Sequence, residues 1–449
     1  MSKHEGKGKR KSGRYKTRRS SDAAVEISVD GPIPALRGVQ VAQVRMGPED
    51  AADTGFELRD PEDFAPAPAL LTPAAFALAT LFDGERTAED VAKEFEQRYE
   101  QFPPPEQVLN LAKQLDEALY LDSPRFQQRM RTALLSYLDS PSRPMVHAGT
   151  SYPKDPDELR ERIAGYFTAP QGPGKIPDGP PTKNDLRALM VPHIELNVGG
   201  PTCAHGYKQL LERSQADLIV VLGVAHKGPS QPLFHISKKE FETPLGNVKV
   251  ERGLAERLQE AVGGEPQVME IAHRTEFSVE FQALFLQTLL KDRQKRDFEI
   301  VPVVCGAVEP YLDSEEEPTE CESFQRFANA LGEELSKTSR KWCVIASVDL
   351  SHVGPKFDHS TSIDHKVLLP IERGDKRLLG ALQSLDRKAF FNEVQRTKNA
   401  RNWDGVLALL AMLTAANGNL KSAELLRYEQ WLEAPTKSAV TFASMAFRG

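Results

Sequence analysis

Three histidines occupy equivalent places in the chain: His193 in ALMVPHIEL, His226 in IVVLGVAHKGP and His352 in VIASVDLSHVGP. Each comes just after an apolar run that reads as a β-strand. Imidazole titrates nearest neutrality among side chains and is the commonest nitrogen ligand for metals, so it serves as acid, base or ligand. In open α/β sheets, ligands bind in the crevice beyond the carboxyl ends of the strands. Residues far apart in sequence meet there when each follows its own strand. One such histidine alone is more often a loop residue satisfied by its neighbours, but three of ten at equivalent strand ends point to one site. The four cysteines, Cys203, Cys305, Cys321 and Cys343, contain no CxxC pair. That argues against a disulfide framework and against a cysteine-rich zinc site, and it leaves reduced, mostly buried thiols.

Such a site needs strands whose ends open on one crevice, and beyond residue 180 the chain supplies them. LRALMVPH, ADLIVVLGVAH, FEIVPVVCGAV and KWCVIASVDLSH are interspersed with helical runs near 201–213 and at 322–337. LIVVLG and CVIASV are continuously apolar, as expected of strands buried on both faces of a sheet covered by helices. ELLRYEQWL and SAVTFASMAF read as a closing pair of strands. The expectation is a layered α/β domain over 145–449 with a central, mostly parallel sheet.

The rest of the chain differs in composition. Residues 1–40 lack periodicity and carry nine Lys or Arg against one Glu in the first twenty, which predicts a disordered basic tail. VQVAQVRM and FELRDPEDF each could form a short strand. Thr72 with Pro73 is a helix start, Asp83-Gly84 an expected stop, and Thr87 with Glu89 and Asp90 a second start. A third helix runs through VLNLAKQLDEALYL. These features predict a small winged-helix-like domain over 41–130, followed by a helical linker at 131–144. Its many Asp and Glu residues would repel phosphate, so protein docking is expected and nucleic-acid binding is not. With 40% hydrophobic and 27% charged residues, a net charge of −7, no bilayer-length apolar run and no hydrophobic leader, a cytoplasmic globular protein is expected.

Several segments resemble the Memo-like family, and within it the bacterial group called AmmeMemoRadiSam system protein B. They are VHAGTSYP (146–153), VPHIELNVGGPTCAHGYKQL (191–210), VVLGVAHKGP (220–229), FETPLGNVKV (241–250), EFSVEFQALFLQ (276–287), IVPVVCGA (300–307), SVDLSHVGPKF (347–357) and DGVLALLAML (404–413). They occur in family order. The resemblance implies the fold of class III extradiol dioxygenases, whose iron is held by two histidines and a carboxylate. It implies His193 and His226 as metal ligands and His352, preceded by Asp349, as the remaining histidine. It also implies a radical-SAM protein and an AMMECR-type protein as partners.

The chain departs from the family in three places. Where the family has a ligand cysteine before glycine, this sequence has Asp404-Gly405. Asp404 then either completes a two-histidine, one-carboxylate face suited to Fe(II), with zinc also acceptable, or merely caps a helix in a site that has lost its metal. Phe277 stands where relatives have histidine, while Glu276, Ser278 and Glu280 remain. Ile194-Glu195 replaces Ala-Gly and adds a carboxylate that could orient His193 or bind metal. Two functions follow from this reading. One is a metal-dependent, oxygenase-like enzyme for a small molecule, with His352 as acid or base oriented by Asp349. The other is a non-catalytic accessory protein. His147 and His205 are second-tier candidates, His235, His273, His359 and His365 are expected to be structural or exposed, and His273 is a weak substitute for the histidine missing at 277.

Overall fold

The computed structural model describes residues 27–28, 30–46, 53–227, 231–314 and 316–449. It divides into two compact units, Met1–Ala133 and Leu134–Gly449. Among the described residues no helix is long and apolar enough to cross a membrane.

In the first unit, β1 (Gln40–Met46), β2 (Asp53–Arg59) and β3 (Ala69–Leu71) form an antiparallel sheet in that order. Helices α1 (Pro73–Ala79), α2 (Ala88–Tyr99), α3 (Pro105–Glu117) and α4 (Pro124–Asp139) follow, the last crossing into the second unit. The starts of α1 and α2 are those the residues predict. Thr72 Oγ1 accepts from Ala75 N at 3.2 Å, and Thr87 and Asp90 form a reciprocal capping box. Helix α1 stops at Ala79, before Asp83-Gly84. Asp83 instead holds the next turn, its Oδ1 accepting from Glu85 N and Arg86 N at 3.0 Å each.

The expectation of a disordered tail over 1–40 needs correction at its end. Residues 1–26 and 29 lie outside the described residues, but Ile33 is fully buried, and its N–H donates to Arg86 O at 2.8 Å. Arg37 pairs with Asp60 at 3.0 Å and lies 3.6 Å from the centre of the Phe126 ring. The few apolar residues at the end of the basic stretch are enough to dock it, because each removes apolar surface from water.

The second unit contains β4 (Ser142–Arg143), β5 (Leu186–Val191), β6 (Leu218–Val224), β7 (Phe234–Ile236), β8 (Glu240–Phe241), β9 (Glu299–Cys305), β10 (Trp342–Ser347), β11 (His352–Val353), β12 (Ser422–Glu433) and β13 (Ser438–Arg448). Its helices are α5 (Pro156–Thr168), α6 (Leu196–Arg213), α7 (Arg252–Val262), α8 (Pro266–Ala272), α9 (Phe277–Leu286), α10 (Glu322–Lys337), α11 (His365–Gln383), α12 (Arg387–Arg396) and α13 (Val406–Ala415). The main sheet has eight strands in the order β11-β13-β5-β10-β6-β9-β7, with β12 on β13. The four central strands β5, β10, β6 and β9 are parallel and the flanking pairs antiparallel, so the sheet is mixed. Of the antiparallel pairs, β12 with β13 follows from the short turn 434–437 that joins them, since such a connection allows only antiparallel pairing. Every residue of β6 is buried, as its continuous apolar run predicts, and α9 and α13 both pack on β6, β9 and β10. Helix α6 begins at Leu196, earlier than 201, with Pro201 inside it.

Candidate metal centre

Parallel pairing brings the carboxyl ends of β5, β10 and β6 side by side, Ser347 opposite Val191 and Ala346 opposite Leu222. Each strand is followed two residues later by a group that can hold a proton or a metal: His193 after Val191, His226 after Val224 and Asp349 after Ser347. Asp404 comes from the loop before α13. Gly405 is the N-cap of that helix at φ +59°, and a Cβ there would lie 2.0 Å from Val348 Cγ1. Only glycine allows so close an approach in that conformation, and it brings Asp404 to the strand ends.

The side chains then lock one another. His193 is buried, and its Nδ1 donates to Ser347 O at 2.9 Å, which turns Nε2 toward Asp404 Oδ2 at 3.0 Å. His226 Nδ1 faces both oxygens of Glu276 at 3.1 Å, and its Nε2 lies 3.8 Å from Asp404 Oδ2. Glu276 also accepts from His226 N at 3.1 Å and from Ser278 N at 2.8 Å, so one carboxylate caps α9 and orients a histidine. Asp404 Oδ1 accepts from Asp349 N at 2.9 Å, and Asp349 Oδ1 accepts from His193 N at 3.1 Å. His193, His226 and Asp404 each offer one ligand atom, all within 4.8 Å of one another; Asp349, His352 and Asp404 form a second such group.

The electrostatics favour positive charge at this point. Burial pulls the His193 imidazole down, but Asp349 and Asp404 beside it carry it above its ordinary value. For His226 burial is again outweighed, by Glu276 and Asp404, and the ring is pushed up to about 10. Glu276 is held down at about 2, burial notwithstanding, by His226 and by hydrogen bonds from His226 and Ser278. Asp404 falls below the usual carboxylate range because both imidazoles face it despite its burial. Asp349 moves up, through burial, with the nearby Asp404 charge adding to it. In both His193 and His226 Nδ1 is committed to an acceptor, which leaves Nε2 as the atom that could face a metal, as is usual where an imidazole serves as ligand.

His193 and His226 line a cavity of about 590 Å³, together with His147, Glu195, Phe277, Phe281, Asp349, His352, Lys356, Phe357 and Trp431. Asp404, in contact with both histidines, is not part of that lining. The Phe277 ring stacks on His226 with centroids 4.6 Å apart at 20°, and presents an edge to His193.

The structure brings His193, His226, Asp404, Asp349 and His352 together, and it corrects several finer expectations. Asp404 does not cap α13, since Gly405 takes that place without any side-chain cap. Asp349 bonds the His193 backbone, and His352 is oriented by carbonyls instead, its Nδ1 lying 3.1 Å from Leu350 O and 3.2 Å from Asn402 O. Glu195 is exposed on the cavity wall, while the His193 ring takes its partners elsewhere. His273 is buried against His235 O at 2.9 Å, outside the cavity, and does not replace the histidine missing at 277. His205 bonds Gln171 O at 2.9 Å. His147 does reach the cavity, its Nε2 3.1 Å from Thr275 O. The role of Glu276, and the presence of Lys356 and Trp431, were not read from sequence. Only the position of Glu276 beside the altered Phe277 could have signalled it. All four cysteines are free, three of them buried.

A family model described as Memo-like protein matches residues 143–446. A MEMO1 family protein of Aquifex aeolicus is 29% identical over 393 residues, covering 87% of this chain and 96% of its own. Another, from Methanopyrus kandleri, is 30% identical over 309 residues, 67% of this chain and 97% of its own. Among solved structures, an uncharacterized Escherichia coli K12 protein matches 58% of this chain and 99% of its own at 14% identity, with a TM-score of 0.32.

Proposed function

The chain belongs to the Memo-like proteins, and on that premise we propose that its larger unit binds one divalent metal through His193, His226 and Asp404 and uses it on a small molecule held in the adjoining cavity. The observation that carries this reading is the donor set: two imidazole Nε2 atoms and a carboxylate converge, with each imidazole's Nδ1 fixed by Ser347 O or Glu276. Two histidines and one carboxylate leave adjacent coordination positions open and favour Fe(II), while zinc accepts the same ligands. When bound, such an ion supplies Lewis acidity and, as iron, redox chemistry toward oxygen.

The remaining roles belong to the chain's own residues. His352 Nδ1 faces only carbonyl acceptors, so Nδ1 carries the proton and Nε2 is left as the base. Phe277, Phe281, Phe357 and Trp431 give the cavity apolar walls, and Lys356, paired with Glu433 at 3.0 Å, adds an ammonium group to it. A cavity of this size suits a small ligand. The free thiols fit a reducing, cytoplasmic setting.

A second reading rests on one observation: Phe277 covers a face of His226 with a ring that transfers no protons. It makes the protein a non-catalytic partner of a radical-SAM enzyme and an AMMECR-type protein, with the winged-helix-like N-terminal unit as the docking module. Elemental analysis of protein purified anaerobically separates the two. Near-stoichiometric iron or zinc in the wild type, lost in both His193→Ala and Asp404→Ala, is the expected result. Wild-type protein free of metal overturns the first reading in favour of the second.

A further inference from the structure

Another buried carboxylate stands near the centre without reaching it. Asp375 on α11 is fully buried, and four side-chain donors converge on it. Ser351 Oγ and Trp403 Nε1, the latter at 2.8 Å, donate to Oδ1. Thr441 Oγ1 at 2.6 Å and Tyr428 OH at 2.9 Å donate to Oδ2. An ionised carboxylate has about four acceptor positions, and this set fills them. The nearest positive charge is Arg401, with Nε 3.6 Å from Oδ1. An apolar side chain of similar volume would pack here without the desolvation cost of a charge, so packing alone does not account for Asp375.

The sequence positions of the donors do. Ser351 immediately precedes His352, and Trp403 immediately precedes Asp404. Both bond the same oxygen. The two loops are also joined directly, His352 N donating to Arg401 O at 2.7 Å and Asp349 N to Asp404 Oδ1 at 2.9 Å. On the other side, Thr441 Oγ1 accepts from Ser351 N at 2.9 Å and ties the same loop to β13.

We propose that Asp375 is a positioning residue of the metal centre, its Oδ1 clamping the His352 loop to the Asp404 loop so that Asp404 is held against His193. The inference rests on the metal-binding reading above. It makes the two oxygens unequal. Oδ1 bonds the residues beside the site, whereas Oδ2 bonds Tyr428 and Thr441 on the closing hairpin. An asparagine at 375 keeps an oxygen for the indole N–H, which can only donate, and turns its amide nitrogen toward the two hydroxyls, which can accept. A leucine there removes both oxygens.

Titration of the metal-free full-length protein with Co(II), followed by visible absorption, tests this. Asp375→Leu is expected to weaken Co(II) binding by roughly 10- to 100-fold, the usual effect of losing a supporting hydrogen-bond partner behind a ligand, and Asp375→Asn to restore it. Ser351→Ala should weaken binding while Tyr428→Phe leaves it unchanged, although each removes one hydrogen bond to Asp375. Wild-type affinity in Asp375→Leu overturns the proposal, as does equal weakening by Ser351→Ala and Tyr428→Phe. The latter pair carries the test if Asp375→Leu does not fold. Absence of Co(II) binding by the wild type is a different failure: it removes the metal centre itself, and the clamp with it.

Discussion

At the scale of single residues, Gly405 determines where Asp404 points. Its left-handed φ and the Val348 contact leave no room for a Cβ. Gly405→Ala is therefore expected to cost roughly 2–5 kcal/mol, from left-handed strain plus overpacking, and to lower metal affinity by displacing Asp404. Urea unfolding and metal titration of the same variant check the two effects, and an unchanged midpoint would refute the first. His193 and His226 were legible because the strand-end rule needs only local apolar runs and the histidine that follows each, whereas Asp349 holds the equivalent place after β10 and His352 opens β11. Asp404 was legible through family resemblance alone. Glu276 and Asp375 were not legible, because they are two among 64 acidic residues and only contacts across long stretches of chain single them out.

At the scale of elements, α9 holds the site's framework. Glu276 caps it, Ser278 Oγ accepts from Val224 N at 3.0 Å, and Gln282 Nε2 donates to Pro192 O at 3.1 Å and Ser347 Oγ at 2.8 Å. One helix thereby touches all three strand ends. On its other side Glu280 pairs with the fully buried Arg143 of β4 and accepts from Tyr152 OH and from His147 N. Arg143→Met leaves that carboxylate buried without its cation, and a loss of about 3–5 kcal/mol is expected. Arg143→Met combined with Glu280→Leu should recover part of it. A double variant no more stable than the single one, by chemical denaturation, would contradict this account. The central strands β6 and β10 were readable because their apolar runs are continuous, whereas β3, β4, β8 and β11 are two or three residues long and carry no period. The start of α6 was missed for a related reason: its N-cap, Glu195, makes no side-chain capping bond.

For the whole molecule, length and the change in composition along the chain were enough to anticipate more than one folded unit, but not the antiparallel flanks, because pairing partners of β13 are set by tertiary contacts. All three tryptophans, Trp342, Trp403 and Trp431, lie in the larger unit, so their fluorescence follows its unfolding alone. This makes its dependence on pH measurable. Burial holds His273 down at about 3 from an ordinary 6.5, its Nε2 donating to His235 O while Nδ1 is buried with no hydrogen-bond partner among the described residues. Below pH 6.5 the unfolded chain takes up a proton there that the folded chain refuses. The contribution of His273 to stability therefore falls as pH falls, by up to about 1.4 kcal/mol per pH unit, until about pH 3. His226 acts in a different range: raised to about 10, it contributes stability fully below 6.5 and loses it as pH climbs toward 10. Glu276, lowered to about 2, loses its contribution only as pH drops below 4.5. Between pH 6 and 4.5 neither has much slope, and the difference between the wild type and His273→Gln isolates the histidine. Urea unfolding of the metal-free protein by tryptophan fluorescence should show the variant gaining on the wild type as pH falls through that window, whereas parallel curves would mean that His273 accepts a proton in the folded protein.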